Sequence, residues 1–335
     1  MNVLITGGTG LIGRALTRSL LADGHKVWLL TRDPQRAASN LPQGATAAGW
    51  DGRTAQGWGE LVNEMDAIVN LAGVNMASWP WTEARKQSFW NSRVWAGQAV
   101  AEAVRLAKKK PAILIQSSGI NHYGLRGAAA TESTPPADDF LARLTVAWEF
   151  SSQPVEELGV RRAVIRTAVV LSGDSAILKL MELPARLFFG GRLGSGGQAL
   201  PWIHIADEVG AIRFLLDEER ARGPYNLIAP EAATNADFLR ALAHTLKRPY
   251  WFHVPAFLMR LALGGMSVMV LEGRPAQPQR LLEAGYQFKY PTLESALKEL
   301  YPPRKTTKVV TTKEPCSNDF SRLIHVVTTL VVSST

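Results

Sequence analysis

The chain has 335 residues, 46% hydrophobic and 20% charged, enough to bury one large core or a core with a smaller lobe. A single cysteine, Cys316, excludes an internal disulfide framework and a multi-thiolate metal site, and no metal is expected. The formal charge of +8 does not imply nucleic acid, because five cations from Arg304 onward and the helix-ending run Lys108-Lys109-Lys110 account for much of it.

In chain order, Val3-Leu4-Ile5 comes first as a strand, which predicts that no signal or transit peptide precedes the fold. No apolar run approaches the ~18 residues of a membrane span. A cytoplasmic chain without nucleic-acid or membrane partners is therefore expected. Strands are predicted at 2–6, 26–31, 66–71, 112–117 and 161–166, with helices at 11–23, 84–108 and 140–157 between them. This alternation predicts an α/β fold, a parallel sheet with helices on both faces. The near-continuous apolar runs at 66–71 and 112–116 fit strands covered on both sides.

After Leu171 the texture changes. The stretch Gly190 to Gly197 reads as a flexible loop, and Pro201 to Asp207 as a short strand entering a helix at 207–217. One more strand is predicted at 224–229, then a helix at 235–247 capped by Thr234 or Asn235. Residues 253–300 read as mostly helical with proline breaks. Residues 302–335 break the pattern at Pro302-Pro303 and read as a disordered or non-native tail.

The strand ending at Thr6 runs into Gly7-Gly8-Thr9-Gly10-Leu11-Ile12-Gly13, followed by a helical pattern. Glycines at this spacing turn the chain tightly and let backbone approach a pyrophosphate, which meets free N–H groups at the helix start. A dinucleotide site is the reading. An NAD site places an acid at the end of the second strand. Here Thr31 occupies that position and Arg32 follows, which suits a 2′-phosphate and favours NADP(H). Asp33 is the alternative acid, although Pro34 behind it predicts a turn.

Together with the segment Asn70 to Gly73, Ser117-Ser118 before Tyr123-Gly124, and Arg166 at a strand end, these residues resemble the extended short-chain dehydrogenase/reductases. The chain looks like their NADP-dependent epimerase-family branch. That narrower match rests on Trp148-Glu149, Arg166 to Leu171, Pro201 to Asp207, and the motifs at 285–288 and 293–297; it covers about 1–301. Ala168 stands where the family pattern has glycine.

The resemblance implies a Rossmann-type doubly wound domain at 1–170, with 203–229 returning to it. It implies a substrate lobe from 171–202 and 230–301. It also implies NADP(H) contacts from Gly7, Gly8, Thr9, Gly10, Leu11, Ile12, Gly13, Arg32, Leu71, Ala72 and Gly73, with Asp51 against the adenine.

The hydride chemistry of typical members uses a tyrosine and a lysine four apart on one helix. Only Tyr301 has a lysine four residues on, Lys305, and Pro302-Pro303 forbid an interior helical turn between them. Placing Glu149 on the family acid puts Thr145 at the lysine position and Leu141 at the tyrosine position. The usual pair is missing. Ser118 and Tyr123 remain as catalytic candidates, with His122 beside them, while His204 reads as a packing histidine. The expected function is an NADP(H)-binding oxidoreductase or sugar-nucleotide-epimerase-like protein acting on an unidentified small molecule, as monomer or homodimer. A non-catalytic NADP(H)-binding sensor or interaction protein is the alternative.

Overall fold

The five apolar runs predicted as strands all enter one parallel sheet. In the computed structural model, which describes residues 1–38, 41–77 and 80–302, this sheet has seven strands. They are β1 (Asn2–Thr6), β2 (Lys26–Thr31), β3 (Ala45–Gly49), β4 (Ala67–Asn70), β5 (Ile113–Gly119) and β6 (Arg161–Thr167), joined later in the chain by Gly223–Leu227. Two short pairs lie outside the sheet. One is β7 (Val169–Leu171) with β9 (Trp202–His204); the other is β8 (Gly190–Leu193) with β11 (Tyr250–Val254). The late sheet strand Gly223–Leu227 is thus β10, and the sheet order is β10-β6-β5-β4-β1-β2-β3. Strand order reverses between β1 and β4, the switch point where open sheets of this kind hold ligands beyond their carboxyl ends.

The helices of the first half are α1 (Leu11–Ala22), α2 (Pro34–Ala38), α3 (Glu83–Leu106) and α4 (Phe140–Ser151). Those that follow are α5 (Ala176–Arg186), α6 (Ile205–Asp217), α7 (Asn235–Thr245), α8 (Ala256–Leu263), α9 (Val268–Leu271), α10 (Gln279–Glu283) and α11 (Leu293–Leu300). Strand alternation sorts the core. Val3, Ile5, Val69 and Ile115 pack with Leu16, Leu20 and Ile212 of α1 and α6. Leu4, Ile68 and Leu114 point the other way, against Val100 and Val104 of α3. A third cluster joins Trp202, Phe238, Leu242 and Leu297 away from the sheet.

Two sequence expectations change, and the sequence reading missed β3. Gly190 to Leu193 is strand, not flexible loop: a Cβ on Gly191 would lie 1.7 Å from the Phe252 carbonyl oxygen, so glycine is what lets β8 and β11 pair. The helix expected over 140–157 stops at Ser151, and a 3₁₀ turn containing Pro154 follows. The edge strand β3, built from small residues, carried no apolar signal. The expected tail lies outside the described residues beyond Pro302.

Candidate functional site

A cleft of about 730 Å³ opens at the carboxyl ends of β1 to β4. Its floor is the glycine loop. Gly7 has φ +65°, and a Cβ there would lie 2.6 Å from the Leu71 carbonyl oxygen. Gly8 and Gly13 serve packing: a Cβ on Gly8 would meet Leu29 at 2.3 Å, and one on Gly13 would meet the Gly7 carbonyl at 2.5 Å. Gly7, Thr9 and Gly10 line the cleft. Leu11 and Ile12 do not line the cleft, and both stand in the first turn of α1, where backbone N–H groups lack intrahelical partners. Gly10 caps that helix without any side-chain hydrogen bond. A glycine-rich cradle at an uncapped helix start fits a pyrophosphate.

The rim holds Thr31, Arg32, Trp50, Asp51 and Arg53. The register places Thr31 of β2 beside Gly49 of β3, so Arg32 and the 50–53 turn leave the sheet side by side. Asp51 is committed to that turn: Oδ1 accepts from the N–H groups of Arg53 and Thr54 at 2.7 and 2.9 Å, and Oδ2 from the Thr54 hydroxyl at 2.9 Å. Those bonds, the Thr54 N–H first, lower its pKa. Leu71, Ala72 and Gly73 form another wall.

Sequence reasoning missed the α3 wall, where Gln87, Asn91 and Trp95 recur every four residues. It also missed Arg53, whose guanidinium lies 4.7 Å from the Trp95 ring centroid. The polar stripe on α3 was a readable signal.

The catalytic candidates sit elsewhere, in a buried cluster set by strand register. Ser118 of β5 lies beside Arg166 of β6, which lies beside Asn226 of β10. Glu149, reaching in from α4, accepts from the Ser118 hydroxyl at 2.7 Å and from Arg166 at 2.8 and 2.9 Å. His122 Nδ1 is 3.4 Å from the same carboxylate, longer than a well-formed hydrogen bond. Burial alone would raise the Glu149 pKa. His122 and Arg166 overcome it and hold the carboxyl at about 2.

The Tyr123 hydroxyl donates to Asn226 at 2.6 Å, accepts from Arg166 at 2.9 Å, and belongs to a residue 1% exposed. Burial raises its pKa, against the opposing pull of Arg166. Neither Ser118 nor Tyr123 lines this cleft or the second one. Sequence missed the ion pair, yet an arginine inside an apolar strand run already demands a buried partner.

The second cleft, about 570 Å³, is lined by Leu141 with Trp81, Lys86, Phe140, Val268 and Glu272. Thr145, one turn on from Leu141, is buried and bonds the Ala142 carbonyl. His204 is fully used, with Nδ1 accepting from Ala206 N–H and Nε2 facing Glu299 at 2.9 Å. Asp207 accepts from the backbone of Lys289 and Tyr290 at 2.6 and 2.9 Å, so its motif anchors the C-terminal segment.

The NAD dependent epimerase/dehydratase family model matches residues 3–143, and a domain of unknown function, DUF1731, matches 254–300. Epimerase family protein YfhF of Bacillus subtilis is 35% identical over 308 residues, covering 91% of this chain and 100% of the relative. The chain belongs to the epimerase family. A second member, epimerase family protein SH2119 of Staphylococcus haemolyticus, is 36% identical over 299 residues, covering 89% of this chain and 98% of its own length. Among solved structures, human epimerase family protein SDR39U1 (isoform 2) with NADPH superposes with a TM-score of 0.79 at 34% identity, over 90% of this chain and 99% of that one. UDP-glucuronic acid 4-epimerase from Bacillus cereus in complex with NAD, at 17% identity and a TM-score of 0.69 over 90% and 96% of the two chains, shares the fold alone.

Proposed function

We propose that this epimerase-family chain binds NADP(H) in the cleft at the ends of β1 to β4 and carries out oxidoreductase or epimerase-like chemistry on a small molecule. The observation that carries this reading is the uncapped, glycine-rich cradle from Gly7 to Gly10, which shares its cleft with Arg32. The N–H groups of that loop hold a pyrophosphate, and Arg32 offers a 2′-phosphate a planar cation. The NADPH in the human relative's structure supports the choice. When bound, the nicotinamide supplies a hydride or takes one.

The protein contributes no Tyr-x-x-x-Lys pair on this reading. Leu141 and Thr145 stand on α4 where the pair would be. Ser118 directs its proton to Glu149 and lines neither cleft, so on this reading it positions that carboxylate. Tyr123 positions Arg166 and Asn226, and any acid comes from substrate or water. Substrate binding by 171–202 and 230–301 belongs to this proposal, supported by the share that Gly265, Val268 and Glu272 have in the second cleft.

The sensor reading is favoured by one observation, the commitment of the Tyr123 phenol on both sides. Calorimetric titration with NADPH and NADH tests the shared premise, and a chain that binds neither rejects both readings. Transfer of label from isotopically labelled NADPH to a product then separates enzyme from sensor.

A further inference from the structure

We propose that the face formed by the end of α5, the β8–β11 pair and α8 docks on an anionic membrane surface. Phe188, Phe189, Trp251 and Phe252 form an aromatic knot at this face. Phe189 lies 6.4 and 5.9 Å from the ring centroids of Trp251 and Phe252, which are themselves 5.6 Å apart. All four are exposed. The fold holds them out: the Trp251 indole N–H donates to the Phe188 carbonyl at 2.9 Å, and Phe188 sits at φ +66°, a left-handed conformation that bulky residues avoid.

Three residues after Phe252, Pro255 caps α8. Its sequence is apolar apart from Arg260, yet none of its residues is buried, and Phe257 and Leu261 are 64% and 83% exposed. A surface helix of a water-facing domain presents the opposite pattern.

Charge identifies the partner. Residues 183–193 and 247–263 contain Arg186, Arg192, Lys247, Arg248 and Arg260, and no acid. The neighbouring Glu182 is engaged by Arg186 and by the Tyr301 hydroxyl. Arg248 already lies 4.6 Å over the Phe188 ring. A second copy would set these cations against their own kind. Residues from Arg304 onward carry five cations against Glu314 and Asp319, so they do not complement the face either. An anionic bilayer satisfies both features, taking the aromatic rings at its interface and the cations at its headgroups. No described helix is long and apolar enough to cross a membrane, so the contact lies on the surface. The sequence expectation of no membrane partner weighed only spanning segments.

The test is co-sedimentation of the full chain with phosphatidylglycerol/phosphatidylcholine vesicles and with phosphatidylcholine alone. Binding is expected to the anionic vesicles only, and to weaken with salt. Lys247→Glu and Arg248→Glu are each expected to lower partitioning about fivefold or more. Phe257→Glu with Leu261→Glu should lower it further, with melting temperature and NADPH affinity as checks on folding. Failure to bind anionic vesicles overturns the proposal. So does binding that these variants leave unchanged but removal of 304–335 abolishes, or a solution dimer that Leu261→Glu dissociates.

Discussion

The guanidinium of Arg166 grips both carboxylate oxygens of Glu149, through Nε at 2.8 Å and Nη2 at 2.9 Å, with the arginine side chain 6% exposed. The pair joins α4 to the carboxyl end of β6 and fixes where Ser118 points. Because Glu149 titrates near 2 instead of 4.5, it gives the folded state stability that is present above pH 4.5 and lost as pH falls through 2. The shift corresponds to roughly 3 kcal/mol, the same order as the ~3–5 kcal/mol cost of leaving one member of a buried pair alone. Glu149→Gln should therefore lower the urea midpoint clearly at pH 7 and flatten the acid limb of the stability profile. A variant as stable as the parent at pH 7 would show that the pair contributes nothing.

Tyr123→Phe separates positioning from catalysis. The change removes a hydroxyl that bonds both Asn226 and Arg166 in a site closed to solvent. Leaving those partners unmet costs about 1–3 kcal/mol of stability. NADPH affinity should stay within about twofold, since Tyr123 does not line the cleft. In a turnover assay, a loss near the ~10²–10⁴ expected for a general acid, with stability unchanged, would return the phenol to a catalytic role.

The parts of this site differ in how far sequence could reach. The glycine loop was legible because its requirement is local: a tight turn and a close approach, written within Gly7 to Gly13. The strands β1, β2, β4, β5 and β6 were legible because burial of their central residues leaves short, mostly apolar runs. The Glu149–Arg166–Asn226 network was not, since it depends on the register of β5, β6 and β10 and joins residues 17 and 60 positions apart. Asp51 was placed near the adenine by resemblance, but its use in closing its own turn appears only with coordinates. The apolar helix α8 reads as core in one dimension, and only the fold shows it uncovered.

On the proposed NADP(H) reading, Arg32 sets cofactor choice, and Arg53 is a second cation on the same rim. Arg32→Asp should weaken NADPH binding by about 10- to 100-fold, the range of one charge-assisted hydrogen bond, and leave NADH within a few fold. Arg53→Gln should cost less, because Trp95 holds that guanidinium only by its ring face. Calorimetry on parent and variants checks both. Equal affinity of the parent for NADPH and NADH would remove the role assigned to Arg32.

The alkaline side of the stability profile should be governed by Glu208, in the first turn of α6. Its Oε1 accepts from the Thr167 hydroxyl at 2.8 Å, while Oε2 is buried without a partner. Full burial pushes its pKa up to about 8, only partly opposed by Thr167, so the folded chain keeps this carboxyl protonated at neutral pH. The sign is opposite to that of Glu149. Between 4.5 and 8 the unfolded chain has released a proton that the folded chain retains, so this contribution is intact below pH 4.5 and erodes as pH rises through 8. Glu208→Gln keeps the shape and removes the titration. Relative to the parent, it should gain stability on moving from pH 5 to pH 8.5, on the order of a few kcal/mol. Urea unfolding at the two pH values measures the difference. A gap between parent and variant that is the same at both would mean that Glu208 is ionised in the fold, with its charge met by a group that only becomes available in solution.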